Sequence, residues 1–171
     1  MGISQRLMSV LFGLVLAGHV AADDAETLTR ESLDRIERWN GALNAVITIS
    51  PAALEQAAEQ NWERTAGHWR SALLCVPVLI KDNIETREMA TTAGSLALAN
   101  NRTGRDAPLV TRLRDAGMVI LGKANLSEWA NFRSERSSSG WSAVGGQAKN
   151  PYDIRRSPCG SSSGSAVAVA A

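Results

Sequence analysis

Two lysines and one run of serines are the residues here whose types and spacing could do chemistry. Lys81 closes the apolar stretch "ALLCVPVLI" (72–80), and Lys123 closes a second one in "MVILGKAN". The serines sit in "CGSSSGSA", with Ser161, Ser162 and Ser163 between two glycines. A serine hydroxyl attacks a carbonyl only when a base removes its proton. The usual base is histidine, and the chain has two, His19 and His68. His19 falls in an N-terminal export segment, so a Ser-His-Asp arrangement rests on His68 alone, in the polar stretch "TAGHWRS".

A neutral lysine is the other base. An unshifted lysine, with a pKa of about 10.4, is uncharged in only about one molecule in 2,500 at pH 7. Bringing it to about 7 requires roughly 4–5 kcal/mol of selective destabilisation of the ammonium. Desolvation at the end of a buried strand supplies that amount, and the carboxyl ends of parallel strands are where α/β sheets place their sites. Asp82 does not choose between the lysines, because adjacent strand residues point to opposite faces. The pattern alone leaves Lys81 and Lys123 as equals, and either is also read as an ordinary strand-end lysine whose head reaches solvent.

The serine tract has three readings. A flexible linker is opposed by the apolar "AVAVAA" that follows it. A phosphate cradle lacks the G-x-x-x-x-G-K-[ST] pattern. In a catalytic loop, glycines give conformational freedom and clustered hydroxyls pass protons along hydrogen bonds. No Cys or His pair stands at metal-ligand spacing, so no metal or other cofactor is expected.

The elements that must position these groups alternate in type. "TLTRESLDRIERWNG" carries Leu28, Leu33, Ile36 and Trp39 near helical spacing and ends on Gly41. "NAVITIS" is a β-branched strand candidate. The helix over 50–67 starts with Ser50 as N-cap and Pro51 at its first position. The run 72–80 fits a strand buried on both faces. "APLVTRLRDAG" is a third helix, followed by the strand "MVIL". The Gly/Ser tracts at 137–146 and 160–165 read as functional loops. Helices alternating with buried strands predict an α/β layout.

Composition bounds the partners. The 171 residues suffice for one domain, and 44% hydrophobic with 20% charged residues is a globular balance. A net charge of +1 gives no footprint for nucleic acid. Residues 1–22 read as a signal peptide: Arg6 in the n-region, twelve apolar-rich residues from Leu7 to Gly18, and Val20 and Ala22 before a cleavage point. The alternative is an uncleaved membrane anchor. Cleavage after Ala22 leaves 149 residues, exported to the periplasm or beyond, with no stable membrane anchor. In that oxidising compartment Cys75 and Cys159 either pair or remain two free thiols. "AVAVAA" opens an apolar element at the end of the sequence, so residues 23–171 are expected to be the N-terminal part of a longer domain.

Together these stretches resemble the amidase signature family. "VPVLIKDNIE", "MATTAGSLAL", "LRDAGMVILGKANLSEWANFR", "SGWSAVGGQAKNP" and "NPYDIRRSPCGSSSGSAVAVAA" carry the resemblance across nearly all of residues 23–171. Within the family the likeness is to members that remove the carboxamide from peptide C-termini. The resemblance implies a mixed β-sheet core covered by helices on both faces, truncated here. It implies a Ser–cis-Ser–Lys triad acting through an acyl-enzyme on small-molecule or peptide amides. The family's lysine falls on Lys81 and its bridging serine on Ser161, with Ser162 and Ser163 completing the signature. "WANF" resembles the segment lining the acyl pocket, which places Ala130 and Asn131 against substrate. Leu74–Cys75 and Cys159–Gly160 depart from the family's His-Gly and Gly-Gly pairs without touching the triad positions. The family's nucleophilic serine and oxyanion donors lie in a later Gly-Ser motif, expected beyond residue 171, so the 171 residues alone are expected to be inactive. Two other readings remain: the glutamine-hydrolysing subunit of a tRNA amidotransferase, which a signal peptide contradicts, and a non-catalytic truncated product. The resemblance does not imply an oligomeric state.

Overall fold

The computed structural model describes residues 24–132 and 134–171. The expected signal peptide lies outside the described residues. No helix among those described is long and apolar enough to cross a membrane.

The chain alternates helix and strand as the periodicity predicts. Helix α1 (Ala25–Leu43) starts where the Asp24 carboxylate accepts from Thr27 N at 2.7 Å and ends at left-handed Asn44. Asn40 ties α1 to strand β1 (Val46–Ile49): its side chain accepts from Val46 N at 2.8 Å and donates to Val46 O at 2.9 Å. Helix α2 (Ala53–Thr65) begins later than Ser50–Pro51 suggested. Ser50 N donates instead to Leu121 O at 2.8 Å, which extends sheet contact past β1 and delays the helix. Strand β2 (Pro77–Lys81), helix α3 (Pro108–Asp115) and strand β3 (Val119–Ala124) follow. A short ladder joins β4 (Trp141–Ser142) to β5 (Gly146–Gln147), and α4 (Ser163–Ala170) comes after it.

The main sheet runs β1-β3-β2, with β1 antiparallel and β2 parallel to β3. It is therefore mixed. Side-chain alternation sends its residues into different clusters. Val78, Ile80 and Ile120 pack with Val110 of α3, whereas Val119 packs with Ala25 of α1 and Ala57 of α2. Leu79 joins Leu43, Val46 and Val167, which bring α1, β1 and α4 together. Helices thus cover both faces.

One expectation shifts. The run 72–80 is not one strand buried on both faces. Residues 72–75 form a turn, with Cys75 at φ 74 and its N–H donating to Gly117 O at 2.9 Å. The fully buried strand is β3, which occupies the centre of the sheet, while β2 at its edge is only partly covered. Cys75 and Cys159 are both free thiols, the first buried and the second exposed.

Candidate active site

Lys81 ends β2, and parity alone sends its side chain to the face carrying Leu79 and α4 rather than the face carrying Ile80 and α3. There Lys81 Nζ meets Ser161 Oγ at 2.7 Å, across 80 residues of sequence. Burial holds the Lys81 ammonium below the ordinary lysine range. Both side chains are half-buried.

Ser161 is held from two sides. The Gly160–Ser161 peptide is cis. The Ser161 carbonyl accepts from Ser127 N at 3.0 Å, so its backbone and its hydroxyl are fixed by different segments. Ser127 Oγ in turn accepts from Gly140 N at 2.8 Å. A Cβ on Gly160 would lie 2.7 Å from Ser127 Oγ and 3.1 Å from Ser163 Oγ, so only glycine fits between those hydroxyls. Ser163, Gly164 and Ser165 are the first turn of α4 rather than loop, which corrects the loop expectation for 160–165. Gly164 N donates to Asn125 O at 2.9 Å, and the missing Cβ lets α4 start directly against the backbone of Ala45 and Asn125.

Asn125 is the bracket behind this arrangement, and sequence reasoning did not single it out. Its amide donates to Asn44 O at 2.8 Å and to Gly145 O and Gly146 O at 3.2 Å. Its Oδ1 accepts from Leu126 N at 2.8 Å and Ser142 Oγ at 2.7 Å. Ser127 was also missed. Both follow Lys123 in "GKANLS", and nothing in that local pattern separates them from ordinary polar loop residues.

Lys123 does other work. It is fully buried and packs on the α3 face, where its Nζ donates to Ile84 O at 2.7 Å and Thr91 Oγ1 at 3.0 Å and pairs with Asp82 at 3.4 Å. It does not join Ser161. His68 is exposed, edge-on to Trp62 with ring centroids 6.2 Å apart.

Ala130 and Asn131 lie in a short 3-10 segment, Glu128–Asn131. Trp129, Ala130 and Asn131 all have left-handed φ, of 50, 54 and 66. Ala130 is exposed, and Asn131 Nδ2 donates to Ser139 Oγ at 3.3 Å. Asn131 Oδ1 is buried with no hydrogen-bond partner. The segment is linked to the lysine–serine pair through Ser127, whose carbonyl accepts from Ala130 N at 2.8 Å. Among the described residues, no group of His, Cys, Asp and Glu could hold a metal ion.

A base beside a hydroxyl, with the hydroxyl's backbone fixed independently, is an arrangement for moving a proton. The amidase family profile matches residues 27–171, and the chain belongs to that family. The native peptide amidase of Stenotrophomonas maltophilia superposes with a TM-score of 0.85 and 58% identity, over 87% of this chain and 31% of that one. A probable amidase of Arabidopsis thaliana is 50% identical over 81% of this chain and 28% of its own length. A glutamyl-tRNA(Gln) amidotransferase subunit of Thermobifida fusca is 41% identical over 97% of this chain and 32% of its own length. The chain thus spans about three-tenths of the relatives it matches.

Proposed function

We propose that this chain carries the proton-relay half of an exported amide hydrolase that acts on peptide C-terminal carboxamides. The 2.7 Å contact between Lys81 Nζ and Ser161 Oγ carries the proposal. Burial supports it by disfavouring the ammonium, so that the amine is more readily neutral and able to accept a proton.

In the complete protein the attacking hydroxyl comes from a serine after residue 171. Its proton passes to Ser161 Oγ while the Ser161 proton passes to Lys81 Nζ. The freed oxygen adds to the amide carbonyl, and the C–N bond then breaks to leave an acyl-enzyme. The relay runs backwards to protonate the departing ammonia, and water releases the acid by the same route. Ser161 is a bridge in this scheme because its hydroxyl already faces the lysine. Ala130 and Asn131 line the acyl side of the pocket.

The test is Lys81→Ala in the full-length protein, with ammonia release from a peptide amide as the readout. Activity falls to background while the fold persists; wild-type turnover in the variant overturns the role of Lys81. A glutamine-hydrolysing subunit is the second reading, supported by the likeness to the Thermobifida fusca protein. It predicts release of ammonia from glutamine in preference to a peptide amide. Export is part of the first reading, and a mature N-terminus at Asp23 in the periplasmic or secreted fraction tests it.

A further inference from the structure

We propose that Asp82 is a positioning residue for the acyl pocket: its buried carboxylate holds the 92–94 turn, and that turn carries the left-handed segment 129–131. The inference rests on the proposed amide hydrolysis, in which Ala130 and Asn131 line the acyl side.

Asp82 follows Lys81 at the end of β2 and is 1% exposed. Three successive backbone N–H groups converge on it. Thr92 N donates to Oδ2 at 3.2 Å, Ala93 N to the Asp82 carbonyl at 3.0 Å and Gly94 N to Oδ2 at 3.4 Å. The Thr92 hydroxyl also donates to Oδ2, and it accepts from Gly94 N at 3.0 Å. Successive N–H groups gathered by a turn form a concavity that suits an anion. The turn needs such a hold, because Ala93 is left-handed at φ 51. Lys123 lies 3.4 Å from Asp82 Oδ1 and donates to Thr91 Oγ1 at 3.0 Å. It supplies the opposite charge to the carboxylate and steadies the residue before the turn.

The other side of the turn seats the pocket segment. Ala93 O accepts from Trp129 N at 2.9 Å, and Gly94 O accepts from Val144 N at 3.1 Å. A Cβ on Gly94 would lie 3.3 Å from Glu128 Cα and 2.6 Å from Ser142 Cβ, so both segments rest directly on the turn. Trp129, Ala130 and Asn131 are left-handed in succession. Residues other than glycine stay in that region where their surroundings over-determine them. Ala130 N and Phe132 N bond locally, to Ser127 O at 2.8 Å and Trp129 O at 2.9 Å. Trp129 N makes the backbone bond that ties this stretch to a distant segment. The turn therefore sets where Ala130 and Asn131 stand.

Lys81 and Asp82 leave the chain on opposite faces. One step of backbone thus presents the base on one face and fixes the acyl pocket from the other.

The test uses the full-length protein and two peptide amides, one ending in glycinamide and one in phenylalaninamide. The readout is the ratio of their kcat/KM values for ammonia release. Asp82→Asn is expected to raise KM for the preferred peptide and to bring the ratio at least about fivefold closer to one. Loss of folded enzyme alone lowers kcat and leaves KM and the ratio where they were. A folded Asp82→Asn variant with wild-type KM and ratio therefore overturns the proposal. Should Asp82→Asn not fold, Thr92→Val removes the hydroxyl donor to Oδ2 and keeps the Asp82–Lys123 pair. It is expected to move the ratio the same way by at least about twofold, and an unmoved ratio there overturns the proposal. A wild-type enzyme that treats the two peptides alike overturns it as well. Turnover that survives Lys81→Ala sinks the relay instead and leaves the Asp82 ratio readable. If the wild-type protein releases no ammonia, the hydrolase reading fails, and dissociation constants of the two peptides with and without Asp82→Asn decide the inference by the same ratio.

Discussion

Lys81 and Lys123 stand one rung apart on neighbouring parallel strands, since Lys123 is in register with Ile80 and Lys81 with Ala124. That single step sends their side chains to opposite faces. One amine is neutralised by Asp82 and two oxygen acceptors in the interior, and the other is left facing a serine. Two lysines equivalent by pattern are separated by parity.

The depressed pKa of Lys81 has a consequence for stability. Its folded-state pKa lies below the ordinary 10.5, so folding disfavours the ammonium. The unfolded chain binds more protons between the two values, and stability therefore rises with pH across that window. The penalty is complete below the folded pKa and gone above the unfolded one. Lys81→Met should raise the unfolding midpoint near neutrality, with the advantage over wild type shrinking as pH approaches 10.5. Urea denaturation of both proteins at a series of pH values measures it; a constant difference contradicts it.

Gly160→Ala should disable the proposed relay without touching either of its groups. The added methyl lies 2.7 Å from Ser127 Oγ and 3.1 Å from Ser163 Oγ. Both hydroxyls are fully buried and have little room to retreat. The expected cost is about 1–3 kcal/mol of stability, with amide hydrolysis in the full-length protein reduced at least about tenfold by displacement of Ser161. Thermal unfolding and ammonia release read the two effects separately.

Gly164→Ala should act one turn later, on the docking of α4. Its methyl meets main-chain atoms of Ala45 and Asn125, which cannot rotate away as a side chain would. A loss of about 1–3 kcal/mol or more is expected. The neighbouring substitution Ser162→Ala, at an exposed position, should change stability by less than about 0.5 kcal/mol. Denaturant midpoints of the pair make the comparison.

The thiols should behave differently toward an alkylating reagent. Cys159 is exposed, whereas Cys75 is buried and burial raises its pKa, disfavouring the reactive thiolate. Peptide mapping after brief native alkylation should find modified Cys159 and intact Cys75, with Cys75 modified only in denaturant. Equal labelling in the native state contradicts the arrangement.

How much of this is legible in the sequence depends on range. Helix periodicity and caps are local, so α1 and α3 fall within two residues of their expected bounds. The ends of β2 were not legible, because an apolar run does not say which residues find a partner strand. Leu74 and Cys75 are buried by contacts with Ala25, Ala57 and Val119 and not by a ladder. The family resemblance points to Lys81 and Ser161, whereas their meeting across 80 residues is tertiary information. Asn125 and Ser127 are not legible for the same reason: their partners lie in segments that approach only once the chain is folded.

Ser161 is reached from both directions, by Lys81 far upstream and by Ser127 nearer at hand. Neither hold exists until residue 161 has been made. A chain emerging from the ribosome can pair its strands early, because β2 and β3 are already complete. Such a nascent chain carries an amine with no hydroxyl to meet. The Lys81–Ser161 contact is thus a late acquisition of synthesis, and premature termination before residue 161 yields a sheet without it.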